Sequence, residues 1–267
     1  MDFPVLSSLR IGMSTDGQTV HGSASANTKG AWTELVTSTS QDADELWVGL
    51  ASSSSSFGWL VDIGVGAAGS EVTIAPDILV AQTGRLMKWF RIPLAVPAGS
   101  RIAARGQSTT GSINFQAIVH PVRSGLFAPP PGGKIRALCS NTADSGGLQI
   151  DPGAVANTYG SWAEVSSSLP ADVAAIWLDL GNIQNTALTA QAPNFRLDIG
   201  IGGAGSEVTI FGPIRFGSDA AAQFGPLPSV WWPLSIPAGT RVAARARAAL
   251  TDATDRKFDL TVHALTI

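Results

Sequence analysis

The sequence predicts an all-β protein made of two tandem homologous jelly-roll-like antiparallel β-sandwich domains. Residues 62–74 (DIGVGAAGSEVTI) recur with two changes as residues 198–210 (DIGIGGAGSEVTI), and PLAVPAGSRIAARGQ from Pro93 recurs as PLSIPAGTRVAARAR from Pro233. Short apolar runs alternate with Gly, Pro, Ser and Asp turns about every 8–14 residues, and no stretch sustains a helical spacing. We therefore expect about eight short strands in each half, arranged as a jelly roll.

The length of 267 residues suits two domains of ordinary size. The first repeat is predicted over residues 1–122 and the second over residues 134–267. Residues 123–133 (RSGLFAPPPGG) are predicted to link them. Three consecutive prolines favour a stiff polyproline II segment, and the two glycines after it add flexibility.

The strands of the first half follow from their own residues. Trp59–Ile63 alternates and Val72–Ile74 is rich in β-branched residues, so the repeated motif is predicted to be strand, glycine-rich connection, strand. The stretch between Ile74 and Trp89 is predicted to be a loop that can carry a short helical turn. The other predicted strands are a short pair in the first block, Glu45–Leu50, Trp89–Leu94, Arg101–Gln107 and Asn114–His120.

Composition excludes several classes of function. The net charge of −3 and the pI near 5.5 argue against a nucleic-acid partner. We expect no membrane insertion and no secretory signal, because no apolar run approaches the roughly 18 residues of a spanning helix and the N-terminus lacks a basic segment before an apolar one. The single cysteine, Cys139, is expected to be a small buried hydrophobe in a protein made in a reducing compartment.

The glycines of the repeated motif match a dinucleotide-binding fingerprint. Gly64, Gly66 and Gly69 have the G-x-G-x-x-G spacing, as do their counterparts in the second half. That fingerprint requires a helix directly after the glycines, whereas SEVTI favours a strand. We therefore expect no nucleotide cofactor, and glycines that permit positive φ in a bulged β-connection.

The same motif contains two carboxylates in each repeat. Asp62 and Glu71, with the copies Asp198 and Glu207, have the residue types of a paired acid and base. The favoured alternative is structural, with each carboxylate satisfying turn amides or pairing with arginine. No metal is expected, because the dense D-x-D-x-D spacing of a calcium loop is missing.

The second repeated motif places arginines along a strand. Arg101 and Arg105 face one side of that strand, and Arg241, Arg245 and Arg247 do the same in the second repeat. One interpretation is a solvated or Glu-paired sheet face. The other is a basic stripe that binds a partner subunit or an acidic glycan, because guanidinium makes bidentate contacts with carboxylates.

The eight tryptophans fall into two groups. Those that recur between the halves are predicted to be core: Trp32, Trp47, Trp162 and Trp177. Trp59 faces Phe195 in the alignment, which is also a core-like position. Those that lack a tryptophan counterpart are predicted to stack on sugar rings or to anchor an interface: Trp89, Trp231 and Trp232.

The tandem pattern DIG-x-G-x-x-GSE followed by PAG-[S/T]-R-[I/V]-A-A-R resembles repeat modules in virion proteins of tailed bacteriophages and phage-like gene transfer agents. The resemblance covers most of each half and identifies no functional residues. It implies a β-sandwich head spike, decoration or fibre protein, assembled in the host cytoplasm and located in the virion. The implied partners are other virion proteins, further copies of the chain, and a host surface polysaccharide.

Three hypotheses for function follow. The first is a non-enzymatic particle protein with one surface for assembly and a further one for attachment. The second is a carbohydrate-binding, lectin-like protein of two sandwich domains. The third is a glycan-degrading enzyme, which would need two acidic groups about 5–10 Å apart in a cleft.

Overall fold

The computed structural model is all-β. Its described residues form eighteen strands and no helix. Every strand pair is antiparallel. The structure describes residues 17–52, 58–80, 87–123, 132–181, 194–217, 230–250 and 256–267.

The first repeat has the strand order of a jelly roll. Sheet 1A has the order β1-β8-β3-β6 and sheet 1B the order β2-β7-β4-β5, so the chain crosses repeatedly between two four-stranded sheets. The strands are β1 (Gln18–His21), β2 (Thr33–Val36), β3 (Glu45–Ser52), β4 (Trp59–Val65), β5 (Val72–Val80), β6 (Lys88–Ile92), β7 (Ile102–Ser108) and β8 (Asn114–Val122).

The second repeat has the same order, with two additions. Sheet 2A contains β11-β18-β13-β16 and sheet 2B contains β12-β17-β14-β15. The added β9 pairs with the C-terminal part of β18, and the added β10 pairs with β11. The strands are β9 (Lys134–Ala137), β10 (Ser140–Asn141), β11 (Gly146–Ile150), β12 (Ala163–Ser166), β13 (Val173–Gly181), β14 (Phe195–Ile201), β15 (Val208–Phe216), β16 (Trp232–Ile236), β17 (Val242–Ala248) and β18 (Phe258–Thr266).

These two sets of sheets confirm the predicted fold class of tandem jelly-roll sandwiches. The predicted boundaries of the domains stay a prediction. Within the predicted linker, residues 124–131 lie outside the described residues, as do residues 1–16 of the first repeat.

The repeated glycine motif is a hairpin connection, as predicted. β4 ends at Val65 and β5 begins at Val72, and between them Gly66 has φ 130° and Gly69 has φ 81°. These angles lie in a region that residues with a Cβ rarely adopt. Because a strand and not a helix follows the glycines, they offer no helix N-terminus for a pyrophosphate.

The prediction of a loop after Ile74 is wrong for the first part of that stretch, because β5 continues through Val80. The pairing of β4 with β5 shifts register opposite Asp62, and Asp77 has φ 51°. This bulge accommodates Pro76 inside the strand, which the sequence pattern could not foresee. Residues 81–86 lie outside the described residues.

Aromatic side chains fill the core of each sandwich. In the first repeat Trp59 is fully buried, with its ring edge-on to Phe115 at 5.2 Å. In the second repeat Phe195 takes the equivalent position and packs against Phe216 and Phe258 at 5.1 and 5.6 Å. The prediction of a shared core aromatic at positions 59 and 195 is confirmed.

The prediction that all four recurring tryptophans are core is wrong for three of them. Trp47 is 45% exposed, and Trp32 and Trp162 are partly exposed. Trp32 lies on the outer face of sheet 1B over Gly64, where an added Cβ would come within 2.7 Å of its ring. Trp177 is 1% exposed, but it is buried between the two repeats. Strand alternation cannot distinguish these outer faces from inner ones when the sheet is covered on both sides.

The two jelly rolls pack directly on each other. The outer face of sheet 2A lies against the edge of the first repeat that β5 and β6 form. Ile135, Ala175 and Leu265 of the second repeat join the hydrophobic cluster of the first. The repeats are therefore not independent beads on a linker.

Candidate functional site

Arg101 fastens the glycine connection of the first repeat. Its Nε donates to Glu34 at 2.7 Å, and its Nη1 donates to Glu71 at 2.7 Å and to the carbonyl of Gly66 at 3.3 Å. The guanidinium thus joins three separate segments at one end of sheet 1B. Its hydrogen-bonding capacity is largely used within the chain.

Arg241 repeats this arrangement in the second repeat. It donates to Glu164 at 2.8 Å, to Glu207 at 2.9 Å and to the carbonyl of Gly202 at 3.1 Å. Burial disfavours the ionised form of Glu207, but its hydrogen bonds with backbone amides and Arg241 outweigh this and hold its pKa below the ordinary value. Glu71 has a lowered pKa for the same reasons. Both are therefore ionised at neutral pH and hold no proton to donate as a general acid.

Asp62 is also enclosed by cations. It accepts from Lys29 at 2.7 Å and from Arg105 at 2.9 Å, and the backbone amide of Asp77 donates to it at 3.0 Å. The Arg105 guanidinium lies 4.5 Å from the ring centre of Trp32, which is a cation–π distance. Asp62 therefore has a structural role on the outer face of sheet 1B.

In the second repeat, a tyrosine replaces the lysine of this arrangement. Tyr159 stands where Lys29 stands in the first repeat, and its hydroxyl donates to Asp198 at 3.0 Å. Arg245 donates to the same carboxylate at 3.3 Å and lies over the rings of Tyr159 and Trp162 at 4.3 and 4.4 Å. Burial, followed by the hydrogen bond with Asp198, raises the pKa of Tyr159.

Four of the five arginines of the predicted stripe are paired with carboxylates, at two equivalent places, one in each repeat. Arg101 and Arg241 pair with glutamates, and Arg105 and Arg245 pair with aspartates. The fifth, Arg247, donates to the carbonyl of Asn157. Binding of a partner or glycan by these arginines stays a prediction.

Trp177 is at the centre of the contact between the repeats. Its ring stacks on His263 at 4.5 Å, lies tilted on Phe90 of the first repeat at 5.2 Å, and meets Trp231 edge-on at 5.7 Å. Three aromatic partners and almost complete burial make this residue the main apolar anchor of the interface.

Polar groups also pair across the same interface. Lys88 Nζ lies 2.6 Å from Asp179 Oδ1, and both side chains are almost completely buried. Trp231 Nε1 donates to the carbonyl of Arg91 at 2.6 Å. His263 Nε2 lies 2.9 Å from the carbonyl of Pro76, and since a carbonyl only accepts, this nitrogen carries the proton.

The periphery of the interface adds hydrogen bonds between loops and strands. Ser140 donates to Asp77 at 2.7 Å, and Gln107 donates to the carbonyl of Thr142 at 2.7 Å. Ser145 donates to Asn27 at 2.8 Å. With the Trp177 anchor, these contacts give the two repeats one fixed arrangement.

The outer face of sheet 1A is the homologue of the face that carries Trp177. Trp47 lies opposite His120 in the β3–β8 pairing, as Trp177 lies opposite His263 in the β13–β18 pairing. Trp89, on β6, is 41% exposed and stacks on the His120 ring at 5.6 Å. Trp47 is 45% exposed, whereas its counterpart Trp177 is 1% exposed.

A charged pair borders these aromatic rings. Glu45 is buried, pairs with Arg91 and accepts from Trp47 Nε1 at 3.1 Å. The surface formed by Glu45, Trp47, Trp89, Arg91 and His120 is hereafter called the open face. Its exposed aromatic area and its polar border have the composition of a protein-binding surface.

The three tryptophans predicted to bind are in three different settings. Trp89 lies on the open face, and Trp231 lies in the contact between the repeats. Trp232 is tilted on Phe211 at 5.1 Å and packs against the core of the second repeat. The structure does not bring them together as one sugar-binding platform, and Trp47, which the sequence pattern assigned to the core, was the aromatic that this reasoning missed.

Comparisons with known proteins were made with families, curated proteins and solved structures. No protein family matches the sequence, and no curated protein matches it. One similar solved chain comes from work on the triple jelly-roll fold and turret assembly in an archaeal virus, with 10% identity and a TM-score of 0.20. The alignment covers 94% of this chain and 59% of that one. The jelly-roll assignment here follows from the strand order itself.

The remaining candidate groups are the single cysteine and possible metal ligands. The Cys139 thiol donates to the carbonyl of Leu260 at 3.4 Å, and burial raises its pKa to about 12, so it is protonated and a weak nucleophile. Within the described ranges, no three His, Cys, Asp or Glu side chains converge as a metal site. The same part of the chain has no helix long and apolar enough to cross a membrane.

Proposed function

We propose that this chain is a structural protein of a phage or phage-like particle, of the head spike, decoration or fibre type. It attaches to a neighbouring particle protein through the open face. The observation that carries the proposal is the contrast between equivalent positions: the second repeat buries Trp177 against the first repeat, whereas on the same face of the first repeat Trp47 is 45% exposed and Trp89 41% exposed.

The contact between the repeats indicates what chemistry fits the open face. Sheet 2A receives a strand edge that contributes an aromatic ring, Phe90, and a backbone carbonyl, that of Pro76. A partner for the open face would likewise present a strand edge, with an apolar or aromatic side chain to cover Trp47 and Trp89. Burial of two tryptophans supplies the large apolar area on which such interfaces depend.

A second copy of the chain does not fit as that partner. In the first repeat, the outer face of sheet 1B beside the docking edge carries Leu60, Leu79 and Gln107, all of them buried, and Gln107 donates to Thr142 of the second repeat. The equivalent positions of the second repeat are arginines, as the pairing of β14 with β15 and β17 shows. Repeating the internal contact between two chains would bury three cations, which is unfavourable unless each is paired. This cost disfavours a second copy bound in the geometry of the internal contact, and we infer that the partner is a different protein of the particle.

Substitution of Trp47 tests the proposal. Trp47→Glu places a charge in the centre of the open face, and Val72→Glu is the matched control because Val72 is exposed on the other sheet of the same repeat. We expect both variants to melt like the wild type, and only Trp47→Glu to be missing from particles purified from the producing cells. Incorporation of Trp47→Glu at the wild-type copy number would refute the docking role, and absence of the wild type from particles would refute the particle role.

A further inference from the structure

Three arginines stand side by side on the outer face of sheet 2B. Arg196 on β14 lies in register with Arg215 on β15 and with Arg247 on β17. Together with Asn157 and Asn194 they line an open cleft of about 180 Å³. This set is hereafter called the arginine cleft.

These guanidinium groups differ from the other arginines of the two sheets. Like charges directly opposite one another on neighbouring strands destabilise a sheet. In the part of the chain that the structure describes, none of the three forms an ion pair, whereas Arg101, Arg105, Arg241 and Arg245 each do. Arg247 donates through Nη1 to the carbonyl of Asn157 at 2.9 Å, while its Nε is buried and has no hydrogen-bond partner among the described groups.

The equivalent surface of the first repeat shows that the fold does not require this charge. Leu60, Leu79 and Gln107 occupy the three positions there, and the Gln107 side chain donates to Thr142 and Ser145 of the second repeat. The second repeat therefore has a cationic cleft where the first has a covered apolar surface. Since three adjacent cations oppose folding, an anion bound among them offsets a cost that the free protein carries.

We propose that the arginine cleft binds the carboxylate of an acidic sugar. Guanidinium groups hold carboxylates through paired, charge-assisted hydrogen bonds, and the neighbouring asparagines supply donors and acceptors for sugar hydroxyls. The cleft is lined by arginine, asparagine and alanine side chains around the buried Phe195, so it suits a hydroxylated anion better than an apolar peptide. This inference goes beyond the proposed particle role and does not depend on it.

The arginine cleft is small, which argues against a nucleic acid as its ligand. Binding of a nucleic acid draws its affinity from cations spread along several phosphates. The remaining arginines of sheet 2B, Arg241 and Arg245, are already paired with carboxylates, and the net charge of the chain is −3. A single bound carboxylate matches a local cluster of this size.

The experiment uses the full chain and three polymers at physiological salt. Polygalacturonate is the acidic sugar probe, dextran is the neutral control, and a single-stranded oligonucleotide is the phosphate control, with binding measured by calorimetry. We expect polygalacturonate to bind and dextran not to bind. The double variant Arg196→Gln/Arg215→Gln should weaken polygalacturonate binding at least tenfold, and Arg123→Gln, which removes an exposed arginine directly after β8, should leave it unchanged.

Several outcomes would overturn the inference. These are no binding of polygalacturonate, binding that the double variant does not weaken, and tighter binding of the oligonucleotide that the double variant abolishes. Thermal melting controls for folding, and we expect the double variant to be at least as stable as the wild type because like-charge repulsion is removed. If the arginine cleft does not bind polygalacturonate, incorporation of the chain into particles is unaffected. That result is therefore distinguishable from a failure of the proposed particle role.

Discussion

Trp47 and Trp177 occupy the same position in two copies of one jelly roll, yet the first is 45% exposed and the second 1% exposed. The difference arises from packing between the repeats, because the strand pairing around the two residues is the same. One copy of this tryptophan is buried inside the chain, and the other is partly exposed.

The first prediction compares these two tryptophans directly. Trp177→Ala should lower the free energy of unfolding by about 3–5 kcal/mol, because it leaves a cavity among three aromatic rings. Trp47→Ala should lower it by less than about 1 kcal/mol, because this residue is 45% exposed and lies at the surface, so its loss leaves no enclosed cavity. Denaturant unfolding measures both, and equal losses would show that the repeats do not pack through Trp177.

The second prediction concerns the buried ion pair of Lys88 and Asp179. Lys88→Met alone should destabilise the fold by about 3–5 kcal/mol, because it leaves the Asp179 carboxylate buried without its cation. The double variant Lys88→Met/Asp179→Leu should recover most of that loss, because no uncompensated charge remains. A double-mutant cycle measured by denaturant unfolding checks this, and a coupling free energy near zero would contradict it.

The third prediction tests the glycine connection. Gly66→Ala should destabilise the fold by about 1–3 kcal/mol, because φ is 130° and the added Cβ would lie 2.9 Å from the carbonyl oxygen of Ser70. Gly202→Ala should behave alike. Ala67→Gly is the internal control, because the second repeat has glycine at that position, Gly203. Thermal melting measures all three, and tolerance of alanine at both glycines would contradict the bulged connection.

The fourth prediction concerns stability as a function of pH. Burial, reinforced by the nearby Asp144 carboxylate, raises the pKa of Asp259 from 3.8 to about 7. The folded chain therefore binds more protons than the unfolded chain between these values, so this residue's contribution is full below about pH 4 and is lost as pH rises through 7. Asp259→Asn should remove that part of the pH dependence and stabilise the chain at pH 8, by an amount on the order of 4 kcal/mol. Chemical unfolding at pH 4, 6 and 8 measures it, and an unchanged difference between variant and wild type at all three would refute it.

The fold class could be predicted from the sequence because the strand patterns occur twice, once in each repeat. The two copies of the glycine motif end in the same β-branched run, and that run distinguishes a hairpin from a phosphate-binding turn. The extent of β5 escaped prediction because a proline such as Pro76 normally ends a strand. Here the bulge opposite Asp62 and the position of β5 at the edge of its sheet accommodate it.

The candidate surfaces could be predicted only in part. Alternation places Trp47 and Trp177 on a face of the sheet, but it cannot show which face a second domain covers. The arginine cleft brings together residues from β14, β15 and β17, and its signal was in the repeat alignment, where Arg196 and Arg215 answer Leu60 and Leu79. A change from leucine to arginine at matched positions of a duplicated domain indicates that its surroundings have changed.

Hydroxyl-radical footprinting, read by mass spectrometry on free and particle-bound chain, tests the central claim most directly. The account predicts that oxidation of Trp47 and Trp89 falls several-fold in the particle, while that of Trp32 and Trp162, which lie on the other sheets, stays the same. Equal oxidation of Trp47 and Trp89 in the two samples would contradict docking through the open face.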